Sequence, residues 1–237
     1  MAAVGMRAGV LATVLGLLAG GCDVLDFDVD LAPQTFKLDF GQQTGRMPTV
    51  ACSAAADVCG NMAALAFDAA APSGTPTGVD VAVACDNAAG TCYAQASARA
   101  AQTMKVLQGD GVGSKIERHS LWLVKSADVA YTIPVNTLTF DIPHVDLYAG
   151  PAGATRETDP GVALLGSTQP IKAGTAITEQ THVGIGDTPG RSVIEDAISN
   201  KHDFVFIAVA SPRLSAGNPV PAGAVQIDVA PKLVVGP

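Results

Sequence analysis

An all-β chain is predicted: an antiparallel β-sandwich or open barrel with one short helix near 192–200. Three observations carry this. Short stretches of period-two alternation recur along the chain, as in VQIDV at 225–229. Gly- and Pro-rich turns separate them at roughly ten-residue spacing. The clearest apolar run, FVFIAV at 204–209, reads as a strand covered on both faces.

The 237 residues carry a formal charge of −8, with 48% hydrophobic, 5% aromatic and 15% charged side chains. So little charge on so apolar a chain argues against intrinsic disorder. The acidic balance argues against a nucleic-acid partner, which needs a basic face for the phosphates.

The strands are justified in chain order. Segment 23–31 (DVLDFDVDL) alternates acid and apolar residues, so Asp26, Asp28 and Asp30 share one face. Pro33 ends that run, and FKLDF at 36–40 alternates again. Residues 51–101 include 19 alanines, with a loop by composition at 72–78 (PSGTPTG). VDVAVAC, DNAAGT and CYAQASAR then read as strand, turn and strand. Ala94, Ala96, Ala98 and Ala100 alternate with Tyr93, Gln95, Ser97 and Arg99, which favours strand over helix for 93–107.

GDGVGSK at 109–115 reads as a flexible turn. It is not a phosphate loop, because Ser114 separates Lys115 from Gly113. Strands are expected at 120–125, which holds the single tryptophan, and at 128–135, 137–142 and 145–148. Pro134, Pro143 and Pro151 should mark strand ends, edges or bulges. Shorter candidates lie at 162–165, 176–178 and 182–185, before the runs at 204–209 and 225–229. The helix is placed by a capping box, Ser192 with Glu195, and by Val193, Ile194, Ala197 and Ile198 on one face, ending at Asn200.

The N-terminus reads as an address. Arg7 precedes an apolar run from Val10 to Ala19, which is too short to span a bilayer and suits a signal-peptide core. Small residues Ala19, Gly20 and Gly21 lead to Cys22. This segment resembles the lipobox signal of bacterial lipoproteins. The resemblance implies that residues 1–21 are removed, that Cys22 is diacylated, and that the mature chain is tethered to a membrane of the cell envelope. An ordinary secretory signal cleaved near Gly21 is the other reading. Cleavage removes one positive charge and leaves −9. The mature residues 22–237 are read as a single domain, with 109–115 as the best internal boundary.

Four further cysteines, Cys52, Cys59, Cys85 and Cys92, form two C-x6-C pairs 33 residues apart. Export makes disulfides the expected state. The local pairs Cys52–Cys59 and Cys85–Cys92 are favoured, because cysteines facing each other across a hairpin lie within bridging distance. No metal or other cofactor is expected: the spacing is not that of a zinc site and no histidine lies near.

The four histidines are His119, His144, His182 and His202, and none forms a local metal motif. His144 with Asp141 or Asp146, and His202 with Asp203, are candidate base–acid pairs that read more simply as strand-end loop residues. Asp146, Glu157 and Asp159 are acids near loops, and no serine nucleophile elbow is present. The loop at 184–190 (GIGDTPG) could offer an anion the start of the helix, or simply prepare the helix turn.

The function expected is that of an envelope lipoprotein with a non-catalytic binding or structural role. Its partners are the membrane, through Cys22, and a candidate envelope protein. The alternative is a periplasmic or surface hydrolase with non-local catalytic residues. A third reading is a calcium-assisted adhesin using the aspartate row, although that row lacks the glycine turn and bidentate glutamate of an EF-hand.

Overall fold

Period-two alternation buries one face of each strand, so two sheets with facing apolar sides are the natural outcome. A computed structural model describes residues 27–42, 45–52, 59, 79–106, 123–183, 185 and 188–236. Cys22 and its signal, His119, Trp122 and the 109–115 turn lie outside the described residues.

One sheet holds β1 (Phe27–Asp30), β2 (Gln34–Asp39), β5 (Leu123–Asn136), β8 (Ile177–Val183) and β11 (Ala224–Gly236). Strands β1 and β2 share one edge of β11, which pairs on its other edge with β5, and β5 with β8. The other sheet holds β3 (Val79–Asp86), β4 (Thr91–Met104), β6 (Val145–Pro151), β7 (Ala163–Ser167), β9 (Phe204–Ala210) and β10 (Arg213–Leu214). Its order is β3-β4-β9-β6-β7, with β10 continuing beside β4. The named pairings are antiparallel, and the sheets pack as a sandwich without closing into a barrel.

The inner faces are unequal in texture. Phe36 and Leu38 of β2, Tyr131 and Ile133 of β5, and Val225 and Ile227 of β11 are buried on one side. Opposite them, β4 presents Ala94, Ala96 and Ala98, while β9 presents Phe204, Phe206, Ala208 and Ala210. The small side chains of β4 leave room for the aromatic bulk of β2, which lies against it. The other face of β9 is buried too: Val205, Ile207 and Val209 pack under Tyr148, Ala154 and Val162. That second layer is why its apolar run is continuous.

Several local expectations change. The candidates at 128–135 and at the end of 120–125 merge into β5, and those at 176–178 and 182–185 into β8. Pro134 sits where the register of β5 slips against β11, just past its slip against β8, as suits a proline in a strand. Segment 137–142 is not a strand. Gly223 (φ +90°) brings its backbone so close to Thr137 that a Cβ would stand 2.1 Å from the Thr137 carbonyl oxygen. The segment keeps two backbone bonds, from Thr137 N–H to Ala224 and from Thr139 N–H to Ala222, and an isolated bridge between Ile142 and Ile171, without forming a ladder.

The helix, α1 (Pro189–Ser199), starts three residues before the expected cap. Proline is favoured in the first helical turn because its missing N–H has no partner to lose. Ser192 therefore lies inside the helix and donates to the Pro189 carbonyl at 2.7 Å. Glu195 accepts from Arg191 at 2.8 Å rather than closing a capping box. Thr188 precedes the helix and donates to the Leu165 carbonyl, tying the turn to β7.

The disulfides form, but not in the local pairing. The bridges are Cys52–Cys85 and Cys59–Cys92. The reason is spatial. Segment 50–52 lies along β4 on the edge away from β3, with Cys92 N–H donating to Val50 and Cys52 N–H to Gly90. This brings Cys52 and Cys59 to the hairpin. The crossed pairing closes loops of 34 residues instead of 8, which restricts the unfolded chain by about 3.8 rather than about 2.5 kcal/mol per bridge on the chain-entropy model.

Candidate functional site

A cleft of about 840 Å³ is present among the described residues. This is within the range of small-molecule sites. It opens where α1, the end of β6 and the start of β9 meet.

Helix α1 is pressed onto the sheet at its start. A Cβ at Gly190 would stand 2.6 Å from the Leu164 carbonyl oxygen, so only glycine lets the helix come this close to β7. Ile194, Ala197 and Ile198 face the core. Ser192, Val193 and Asp196 are left facing the cleft, opposite a wall of small residues, Gly150, Ala152 and Gly161.

The rim is built by the helix C-terminus. Lys201 N–H donates to Ile198 and His202 N–H to Ala197, at 3.2 and 2.8 Å. These two bonds make a Schellman motif, whose left-handed position is usually glycine. Here it is Lys201, at φ 56°. A side chain in that conformation costs about 1–2 kcal/mol. Lys201, His202 and Asp203 all line the cleft.

Asp203, the acid next to His202, is engaged by other groups. Asp203 accepts from the Lys105 ammonium at 2.7 Å and from Val106 N–H at 3.3 Å. The lysine, with the backbone bond in support, holds its carboxyl below the usual aspartate value. Asp196 accepts from the Asn200 amide at 2.8 Å. The cleft thus gathers one imidazole, one ammonium and two carboxylates, with Asp203 already engaged.

The other sequence candidates lie elsewhere. His144 is 3.6 Å from Asp146, and Asp146 instead accepts from the Ser167 hydroxyl at 2.5 Å. Asp141 is taken by Lys172 and Ala173 N–H, which lower its pKa. His182 stands on β8 with Nδ1 2.9 Å from Asp128. The aspartate row meets a lysine: Asp28 pairs with Lys232 at 2.6 Å. Asp28, then Asp30 and Asp128, raise the lysine pKa. Residues 184, 186 and 187 of the glycine-rich loop lie outside the described residues, as does Asp26.

Glu157 and Asp159 organise the strap that follows β6. Glu157 grips Arg99 of β4 through two bonds, at 2.5 and 2.7 Å, and Asp80 of β3 accepts from Arg99 and Arg156. The guanidinium is the chief cause of the lowered Glu157 pKa. Asp159 caps the N–H groups of Thr155 and Arg156. The strap covers the outer side of β9. Burial, then Asp146 and Glu157, raise the Tyr148 phenol beneath it.

Sequence reasoning missed the cleft because its walls come from two stretches, 150–161 and 192–204, that are apart in the chain. The one local signal was the order Ser-Asn-Lys-His-Asp after the helix, a C-cap with lysine where glycine is usual.

No family model matches the chain, and no curated protein matches it. Among solved structures, it is similar to a Bacteroides thetaiotaomicron protein provisionally described as a glycoside hydrolase. The two are 13% identical, with 85% of this chain and 71% of that chain covered and a TM-score of 0.23. A likeness that slight carries no functional argument.

Proposed function

We propose that this chain is a cell-envelope lipoprotein, anchored through Cys22, whose β-sandwich binds a small polar ligand in the cleft beside α1. The lipobox-like sequence at 1–22 supports the anchor. The two bridges support an oxidising compartment outside the cytoplasm. Strand β1 begins five residues after Cys22, a tether of at most about 17 Å. The domain is therefore held close to the membrane surface. An envelope protein is the partner expected to meet it there.

The observation that carries the binding reading is Lys201. A half-buried lysine occupies a left-handed position at the rim of a cleft, where glycine would relieve the strain. Strain retained at a concave site points to use of the side chain placed by it.

Two experiments test this. Cys22→Ala should move the exported protein from the membrane fraction to the soluble one, and continued membrane retention rejects the anchor. A thermal-shift screen of polar metabolites should find compounds that stabilise the wild type but not Val193→Trp, which fills the cleft. Equal shifts in both proteins reject the cleft as the site.

The second reading, a hydrolase, is favoured by His202 lining the same cleft as Asp196. A panel of chromogenic glycosides and esters decides it. Turnover by the wild type that His202→Ala abolishes supports hydrolysis, and turnover unaffected by the substitution rejects it.

A further inference from the structure

We propose that the paired bridges beside the β3–β4 hairpin form a thiol-exchange site. There a small or protein thiol interconverts the crossed pairing with the local pairing Cys52–Cys59 and Cys85–Cys92. The sulfurs of Cys52, Cys59 and Cys92 all lie within 4.8 Å of one another, although only Cys59 and Cys92 are bonded. Cys85 and Cys92 are register partners across the hairpin. Cys92 spends its N–H on Val50, on the edge away from β3. Cys85 and Cys92 are therefore a non-hydrogen-bonded pair, the closer kind, with Cα atoms typically about 4.5 Å apart, which a disulfide can bridge. Cys52 and Cys59 thus have each other's sulfur within 4.8 Å, and Cys85 and Cys92 face each other across the hairpin.

Burial decides where the reaction starts. Cys52 and Cys85 are both half-buried, whereas Cys92 is only 1% exposed. An external thiolate attacks Cys85 Sγ, the Cys52–Cys85 bond breaks, and Cys52 leaves as a thiolate. Cys52 attacks Cys59 Sγ, forming Cys52–Cys59 and expelling Cys92 as a thiolate. Cys92 attacks Cys85 Sγ in its mixed disulfide, forming Cys85–Cys92 and releasing the external thiolate. Two disulfides enter and two leave, with no net oxidation, so the thiol acts as a catalyst. The exchange replaces two bridges that tether Cys52 and Cys59 to the hairpin with two closed local loops.

The sequence makes the products separable. Asp57 lies between Cys52 and Cys59, Asp68 and Asp80 between Cys59 and Cys85, and Asp86 between Cys85 and Cys92. An aspartate-directed protease therefore puts each cysteine on its own peptide. The folded wild type is incubated with a trace of reduced glutathione at about pH 8, quenched in acid, digested and mapped by mass spectrometry. The expected result is growth of the local pairing without growth of alkylatable protein thiols, slowing about tenfold per pH unit below the thiol pKa. Persistence of the crossed pairing alone overturns the proposal. Equal growth of the third pairing, Cys52–Cys92 with Cys59–Cys85, also overturns it, because that is scrambling of an unfolded chain. A second measurement uses Cys52→Ser with Cys59→Ser, in which Cys85 and Cys92 should oxidise to one bridge. Two thiols still alkylatable after oxidised glutathione would count against the geometry.

Discussion

Strands β4 and β9 are neighbours in one sheet, yet they are held by different means. The inner face of β9 carries Phe204 and Phe206, edge to face at 5.2 Å, and its outer face carries Val205, Ile207 and Val209 under the strap. Apart from Met104 and from Gln102, which donates to the Thr35 carbonyl of β2, β4 places only alanines and Cys92 on the inner face. At this end of β4, a disulfide, an aspartate–arginine contact between Asp86 and Arg213, and Arg213 stacked 3.8 Å over Tyr93 do the holding. Large side chains stabilise by area removed from water, while small ones leave that work to cross-links and charge.

Four variants test this contrast, from the largest effect to the smallest. Phe206→Ala empties a site buried within the core and should cost about 3–5 kcal/mol in denaturant unfolding. Replacing Cys59 and Cys92 together by serine removes one bridge from the small-residue side and should cost about 2–4 kcal/mol. If the bridge loss exceeds the phenylalanine loss, covalent linkage rather than packing dominates the sheet.

Arg99→Met leaves Glu157 without its partner and should cost about 1–2 kcal/mol at neutral pH, allowing for partial exposure. Because Arg99 lowers the Glu157 pKa, the clamp contributes fully above the ordinary glutamate value of 4.5. That contribution is lost as pH falls through the lowered value. Wild type and variant should therefore converge in acid, and a constant gap down to low pH would show that the clamp is not electrostatic. Lys201→Gly is expected to act in the opposite direction, raising stability by about 1 kcal/mol by relieving the left-handed lysine. A loss of stability would mean that the lysine makes a compensating contact.

The legible part of the fold was the part set by nearest neighbours. Alternation marked β2, β3, β4 and β11, because burial of one strand face repeats every second residue, and a continuous apolar run marked β9. The helix was legible from Ile194, Ala197 and Ile198, but its start was misplaced. Pro189 and the close approach of Gly190 to β7 outweighed the Ser192 capping signal. Segment 137–142 had strand chemistry, yet it keeps only scattered backbone bonds beside Gly223 and forms no strand.

By itself, the sequence determined that strands would dominate, that Cys52, Cys59, Cys85 and Cys92 would be bridged, and that Phe204–Ala210 would be covered on both faces. Tertiary structure alone decided which cysteine meets which, which acid Arg99 grips, and that Lys201, Asp203 and Gly161 border one cleft. The physical reason is range. Periodicity reports the environment of a residue along its own strand, whereas pairing depends on which strands the whole core places side by side.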